Sequence, residues 1–589
     1  MTGTARRVVV PLFLTLTTAL ASAAPAAALR GDTTLVSRAT GSNGAKGNAG
    51  SAPPSISADG RFVAFYSLAT NLANDDRDPV EDVFVRKVST RKTMLVSRAS
   101  GAQGTKGNRG SFDPALSANG RFVAFDSEAD NLSPDDADAV LDVFVRDLVT
   151  GETTLISRAD GPSGAKANGN SYLNAVSADG RFVVFESEGS NLHGADDDAL
   201  RDVFVRDRAK AETVLVSRAN GAHGPKAKGK SYSGSVSGDG RLVAFESKAP
   251  NLAAAADDEQ SQVYLRDLAR GDTTLISRAS GEEGAAANRG SYRASVSADG
   301  RFVAFSSFAS NLARDDPDIV EDVFVRDIAA AETTLASTAG HEGPKGDGGA
   351  TRPSLSADGR FVAFDSYASN LSIDDGDRGT DVFVRDRTAA ETTLVSRANG
   401  VDGPKANLAS LTPSVTEDGR FVAFASFARN LAHDDRDTLG DVYLRDVRGP
   451  APRCAEITRE QRGSEGADTL TGAAEAELMF GLGGNDRLSG LDGGDCLYGG
   501  SGDDALDGGA RGDDLRGGPG NDVLEGGAGN DQLYGDPGVN RYRAGRGDDS
   551  VFASNGRAER VDCGAGHDDA RADRSDRVRG CEEVVRVRR

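Results

Sequence analysis

Residues 54–97 read PSISADGRFVAFYSLATNLANDDRDPVEDVFVRKVSTRKTMLVS, and close copies of this text follow one another along most of the chain. The tripeptide at its centre returns as Asp59-Gly60-Arg61, Asn119-Gly120-Arg121, Asp179-Gly180-Arg181, Asp239-Gly240-Arg241, Asp299-Gly300-Arg301, Asp358-Gly359-Arg360 and Asp418-Gly419-Arg420. The spacing is 60 residues with one step of 59. Each copy holds four short runs rich in Val, Phe, Ile and Thr, separated by turn residues. That is strand chemistry. The Asp-Gly dipeptide suits a tight hairpin, because Gly takes positive φ without a Cβ clash. The runs are nearly continuous in apolar character, as in small sheets covered on both faces.

Four strands repeated seven times is the arithmetic of a seven-bladed β-propeller, the fold class expected for residues 32–446. An open β-solenoid is the alternative. The order of the ends favours closure. The TTLVSR-type strand starts at Thr33, Thr93, Thr153, Thr213, Thr273, Thr333 and Thr392, so its first copy precedes the first full unit. The last unit ends on 441–445, DVYLR, with no such strand after it. Residues 33–37 are therefore expected to pair with 442–445 and complete the seventh blade, hiding the sheet edges.

Through its S-x-S-A-D-G-R-F-V-A-F run and its D-V-F-V-R-D strand, this region resembles the TolB-like, WD40-like (PD40) propeller repeat family. The resemblance implies a fold more than a function, since the family includes binding modules, periplasmic partners and propellers attached to enzymes.

Over its 589 residues the chain carries 68 Lys and Arg against 90 Asp and Glu, a net charge of −22. Such an acidic balance argues against nucleic acid and against anionic membrane surfaces as partners. Residues 1–28 read as a secretory signal, with Arg6 and Arg7 before an apolar stretch and A-x-A cleavage options near Ala21–Ala23 and Ala26–Ala28. A membrane anchor is the competing reading, but the stretch is short for a span. No other segment is long and apolar enough to cross a bilayer, so the mature chain is expected to be secreted, with retention at the cell surface left open.

Each blade carries an acidic loop. Asp76, Asp78 and Asp82 recur as Asp136, Asp138 and Asp142, and as Asp316, Asp318 and Asp322. The fourth blade breaks the pattern with Gln262 in the last place. Carboxylates so crowded repel one another unless a cation or solvent screens them. Two readings stand: calcium, a hard cation taking six to eight oxygens, or a solvated loop.

From residue 463 the period falls to nine: GSEGADTLT (463–471), GAAEAELMF, GLGGNDRLS, GLDGGDCLY, GGSGDDALD, GGARGDDLR, GGPGNDVLE, GGAGNDQLY, GDPGVNRYR, then AGRGDDSVF (544–552). This pattern resembles the RTX, or haemolysin-type, calcium-binding repeat. The resemblance implies a parallel β-roll over 463–552. The apolar eighth position faces inward, and the sixth position binds calcium through Asp468, Asp486, Asp495, Asp504, Asp513, Asp522, Asp531 and Asp549. The turn glycines Gly484, Gly502, Gly520 and Gly529 complete the calcium site set. One apolar residue per nine, much glycine entropy and stacked negative charge predict that the segment folds only with calcium. Residues 447–462 read as a linker and 553–589 as a C-terminal cap. Cys563 and Cys581 are expected to pair there, and Cys454 with Cys496, although four cysteines allow three pairings.

Enzyme signatures are missing. His193, His223, His341, His433 and His567 are scattered, and no G-x-S-x-G occurs. GPKAKGKS at 224–231 matches the P-loop in form, but it precedes a strand and recurs in altered form between other blades. The expectation is a non-catalytic, exported calcium-binding protein whose propeller serves an unknown protein or glycan partner. The alternatives are a lyase-like enzyme acting on polysaccharide and a calcium-cross-linked surface or matrix protein.

Overall fold

The computed structural model describes residues 32–41, 44–101, 103–253, 260–340, 343–372, 375–399, 403–447, 457, 459–529, 531–547, 549–566 and 568–587. The signal-like stretch 1–28 and most of the linker lie outside the described residues. All regular elements among the described residues are strands. They fall into two compact units, Met1–Arg448 and Gly449–Arg589.

In the first unit each sixty-residue copy forms a four-stranded antiparallel sheet. The first is Ser51–Ile56, Phe62–Ser67, Asp82–Lys87 and Lys92–Leu95. Six sheets follow this order. The seventh is made of Ser410–Val415, Phe421–Ser426 and Asp441–Asp446, and its outer strand is Thr33–Leu35 from the other end of the repeat region. Thr33 faces Arg445 and Leu35 faces Tyr443. The one-strand offset in the sequence thus becomes the clasp of a closed ring, and the open solenoid is set aside.

The ring is also stitched at its hairpins. The Ala58 N–H donates to the Ala118 carbonyl, Ala118 to Ala178, Ala178 to Gly238 and Gly238 to Ala298; Asp299 then donates to Ala357, Ala357 to Glu417, and the Glu417 N–H to the Ala58 carbonyl. The hairpin needs its glycine twice over. Gly60 has φ 70°, and a Cβ there would lie 2.6 Å from the Phe421 ring of the neighbouring blade. Each blade core is a stacked aromatic pair from the second and third strands, such as Phe65 with Phe84 at 5.9 Å. The P-loop look-alike 224–231 runs as a loop into the strand Ser231–Val236, so no helix N-terminus cradles a phosphate there.

The second unit is a roll of two parallel sheets, one of eight strands and one of seven. Successive nonapeptides alternate between the sheets, so register partners are 18 residues apart: Leu488 faces Leu506, and Leu497 faces Leu515. The eighth-position leucines from Leu488 to Leu533 are at most 2% exposed and form the core with Met479 and Tyr542.

The roll is longer than 463–552. It begins in the expected linker with Glu460–Arg462. It runs on through Arg560–Ala565, Asp569–Asp573, Arg577–Arg579 and Glu583–Val587, so 553–589 continues the coil rather than forming a separate cap. The signal was present but disguised. Residues 563–571, CGAGHDDAR, keep the nonapeptide spacing with Cys563 in place of the first glycine. Cys563 and Cys581 are bonded, with Cα atoms 5.2 Å apart. Cys496 is also disulfide-bonded, and Cys454 lies outside the described residues.

Candidate metal centre

The sixth-position carboxylates of the roll form two continuous ladders. The Asp486 Oδ1 accepts the backbone N–H of Asp468 at 2.7 Å, Asp504 accepts from Asp486 at 2.8 Å, and Asp522 accepts from Asp504 at 2.9 Å. On the other row Asp495 accepts from Glu477, Asp513 from Asp495, Asp531 from Asp513 and Asp549 from Asp531. One oxygen of each carboxylate thereby bolts two turns together. The second oxygen is left over. The Oδ2 atoms of Asp486, Asp495, Asp504 and Asp522 are buried and accept no hydrogen bond. A buried carboxylate oxygen without a partner is costly.

The spare oxygens face the first-position glycines. A Cβ on Gly481 would lie 2.3 Å from Asp486 Oδ2 and 2.4 Å from the Gly499 carbonyl oxygen. On Gly490 it would meet Asp495 Oδ2 and the Gly508 carbonyl, and on Gly499 it would meet Asp504 Oδ2 and the Gly517 carbonyl. Carboxylate and carbonyl oxygens from adjacent turns therefore converge on a cradle that exists because these glycines lack a side chain. An all-oxygen donor set, part carboxylate and part backbone, fits a hard cation such as calcium.

Gly484, Gly502, Gly520 and Gly529 sit in the stacked turns at φ 102°, 132°, 159° and 136°. A Cβ on Gly502 would lie 1.9 Å from the Gly484 carbonyl oxygen, and one on Gly520 1.8 Å from that of Gly502. These glycines bring the turns close enough to share oxygens. Burial pushes Asp495 up to about 6 and Asp522 up to about 7, with Glu477 and Asp504 adding like charge respectively. A cation there would relieve both.

Sequence reasoning missed several members of the ladders. Glu477 holds the sixth-position place of its frame and is fully buried. Asn540 accepts the Asp522 N–H, and Glu559 accepts that of Asn540. Asp568 accepts from Asp549, one residue out of step because of a single insertion.

In the propeller, six of the seven blades bring three aspartates together as the spacing implies among the described residues, with Asp76, Asp78 and Asp82 one such cluster. A lysine of the next repeat already stands among them. Lys106 Nζ lies 2.7 Å from Asp82, 2.9 Å from Asp78 and 3.8 Å from Asp76. Lys166 does the same for Asp136, Asp138 and Asp142, and Lys345 for Asp316, Asp318 and Asp322. Lys46, Lys226 and Lys405 complete six such sites. Burial lowers the pKa of Lys106, but the Asp82 and Asp78 carboxylates outweigh it and hold the ammonium charged.

The lysines are legible in hindsight in one column: GAKGN, GTKGN, GAKAN, GPKAK, GPKGD and GPKAN, against GAAAN at 284–288. Ala286 falls where Gln262 replaces the last aspartate. There the Gln262 amide accepts from Ser277 Oγ at 2.6 Å and donates to the Ala287 carbonyl at 3.1 Å. Cation and anion are lost together. His193, His223 and His433 join no metal-ligating cluster among the described residues, and His341 and His567 lie outside them.

The arrangement defines a class: a closed seven-bladed propeller joined to a parallel roll whose turns converge carboxylate and carbonyl oxygens. The second unit is built of a known repeat. The family model of the RTX calcium-binding nonapeptide repeat (4 copies) matches residues 462–486, 471–506, 480–515, 507–542 and 534–557.

No curated protein matches the chain in sequence. Among solved structures, TolB from Acinetobacter baumannii is similar at 13% identity and a TM-score of 0.32, covering 59% of this chain and 64% of that one. The chain thus spans less than two thirds of that protein. The propeller domain of the Trilobed protease from Pyrococcus furiosus is similar at 12% identity and TM-score 0.39, covering 68% and 97%. Oligogalacturonate lyase from Vibrio parahaemolyticus is similar at 13% identity and TM-score 0.40, covering 71% and 99%.

Proposed function

We propose that this is an exported calcium-binding protein whose roll folds on calcium and whose propeller is a non-catalytic platform for a protein or glycan partner. The observation that carries the calcium reading is the row of buried Oδ2 atoms without hydrogen bonds, those of Asp486, Asp495 and Asp504 each set against a carbonyl of the adjacent turn. Asp486, Asp495 and Asp504 would hold the ions with those carbonyls, and Asp522 and the other sixth-position residues extend the rows. Calcium supplies the positive charge that lets stacked carboxylates stay ionised while buried, so its binding free energy becomes folding free energy. The signal-like residues 1–28 support export, where calcium is plentiful and disulfides persist.

The propeller reading rests on its two channel mouths. One is a cavity of about 160 Å³ narrowed by the hairpin ring. The other is about 340 Å³ and lined by Asn174, Ser233, Arg293, Arg352 and Thr412 among others. The blade aspartate clusters already hold a lysine ammonium, which leaves the roll as the calcium module. Calorimetric calcium titration of the full chain, with circular dichroism before and after chelation, tests this. Several bound ions and a gain of β-structure are expected. A chain whose spectrum is indifferent to calcium would sink the reading.

A further inference from the structure

The last three strands of the roll's seven-stranded sheet are Arg541–Arg546, Arg560–Ala565 and Arg577–Arg579, parallel and in register. Arg541 faces Arg560, which faces Arg577; Arg543 faces Asp562, which faces Arg579. Tyr542 and Val561 between them are at most 2% exposed and point into the core. Side chains alternate along a strand, so the flanking residues point outward. The outer face of these strands is therefore five arginines and one aspartate, around a surface cavity of about 330 Å³.

Arg543 pairs with Glu525 at 2.8 Å, and Arg579 pairs with Asp562. No described carboxylate forms an ion pair with Arg541, Arg560 or Arg577. They stand as a column of exposed guanidinium groups one strand spacing apart, about 4.8 Å. Like charges directly opposite one another on neighbouring strands destabilise a sheet. The column is not a property of the repeat, because the same position upstream holds Thr469, Arg487, Ala505 and Val523. In a chain of net charge −22, this is a local inversion of sign that costs the fold something and that an anion would relieve.

We infer that this arginine face binds a linear polyanionic glycan, one carrying carboxylate or sulfate groups along its length. A guanidinium pairs bidentately with either group. A straight row with one cation per strand matches charges repeated along a polymer better than a single small anion. None of the six outward residues is a large apolar side chain of the kind that anchors a protein in a bilayer. The inference presumes the calcium-loaded roll proposed above.

The test uses the full-length chain loaded with calcium, on immobilised chondroitin sulfate, with neutral dextran as the blank. The parent is expected to bind with an affinity that falls as salt rises. R541Q/R560Q/R577Q is expected to bind about 100-fold more weakly, from roughly a factor of 5 for each exposed charge contact. Asp562→Asn, which removes the one acid, is expected to bind more tightly. Both variants must show the parent's calcium-induced circular dichroism. Failure of that signal in the parent would count against the calcium reading, separately from glycan retention. Equal retention of parent and triple variant overturns the inference, as does no retention of the parent. Arginine-dependent binding to phosphatidylglycerol vesicles without glycan binding overturns it in favour of a lipid surface. Arginine-dependent self-association without glycan binding overturns it in favour of a second copy of this chain.

Discussion

Replacing Lys106 by Met removes the ammonium from among Asp76, Asp78 and Asp82 and leaves most of its stem volume in place. Asp76 and Asp82 are 1% and 0% exposed, and Asp78 is about half exposed. Breaking a buried pair by deleting one partner costs about 3–5 kcal/mol, because the remaining charge is stranded. Two features reduce that figure here. Burial and its neighbouring acids already push Asp76 up to about 7, so it can take a proton. Asp82 also keeps the hydroxyl of Ser97 at 2.6 Å. A loss of about 2–3 kcal/mol is expected.

Differential scanning calorimetry in chelator is the assay, since under the proposed function the roll is then unfolded and the propeller transition stands alone. Millimolar calcium is expected to recover much of the loss in Lys106→Met, the emptied triad taking calcium in place of the ammonium. It is expected to leave the parent's propeller transition unmoved. The chain supplies its own control. D82Q/K106A copies the Gln262 and Ala286 pair of the fourth blade and is expected to be more stable than K106A alone. A Lys106→Met loss under about 0.5 kcal/mol, within the range of ordinary surface changes, would refute the reasoning. So would a parent propeller transition that rises with calcium.

Three further outcomes follow from the same geometry. Burial and the like charge of Asp113 push Asp126 up to about 8. A raised carboxylate pKa means the folded state holds the proton longer, so its stability falls as pH climbs from about 4 to about 8. The stability of Asp126→Asn relative to the parent should therefore rise by about 2–4 kcal/mol between pH 5 and pH 8 in chelator melts, and a pH-independent difference would contradict this. Gly499→Ala places a methyl 2.4 Å from Asp504 Oδ2 and 2.7 Å from the Gly517 carbonyl; calorimetry should show at least one calcium site fewer, while the propeller melt stays put. Removing the disulfide with C563A/C581A, which frees a loop of 18 residues, should cost the calcium-loaded roll about 3 kcal/mol and leave the propeller transition unchanged.

The copies of one unit made the blade count legible, because sixty residues with four apolar runs admit few packings. The one-strand offset at Thr33 made closure legible too, and the strand register Thr33 to Arg445 agrees. The nonapeptide frames showed the sixth-position aspartates and the leucine core. Reading faltered where a side chain of another type filled the same place. Glu477 and Asn540 took aspartate positions, Cys563 took a glycine position, and a single insertion before Glu559 broke the count. Hydrogen-bond geometry tolerates those exchanges, whereas a pattern of letters does not.

The sequence by itself determined the number of blades, the clasp, the period of the roll and the chemistry of its ladders, since each follows from local spacing of apolar and turn residues. Only the tertiary structure decided which cation each acidic cluster meets. Asp82 and Lys106 are 24 residues apart in the chain and belong to different repeats, yet they lie 2.7 Å apart. Likewise Arg541, Arg560 and Arg577 become one column only when strands from three turns are laid side by side. Charge acts through distance in space, and spacing along the chain does not set that distance until the sheets are assembled.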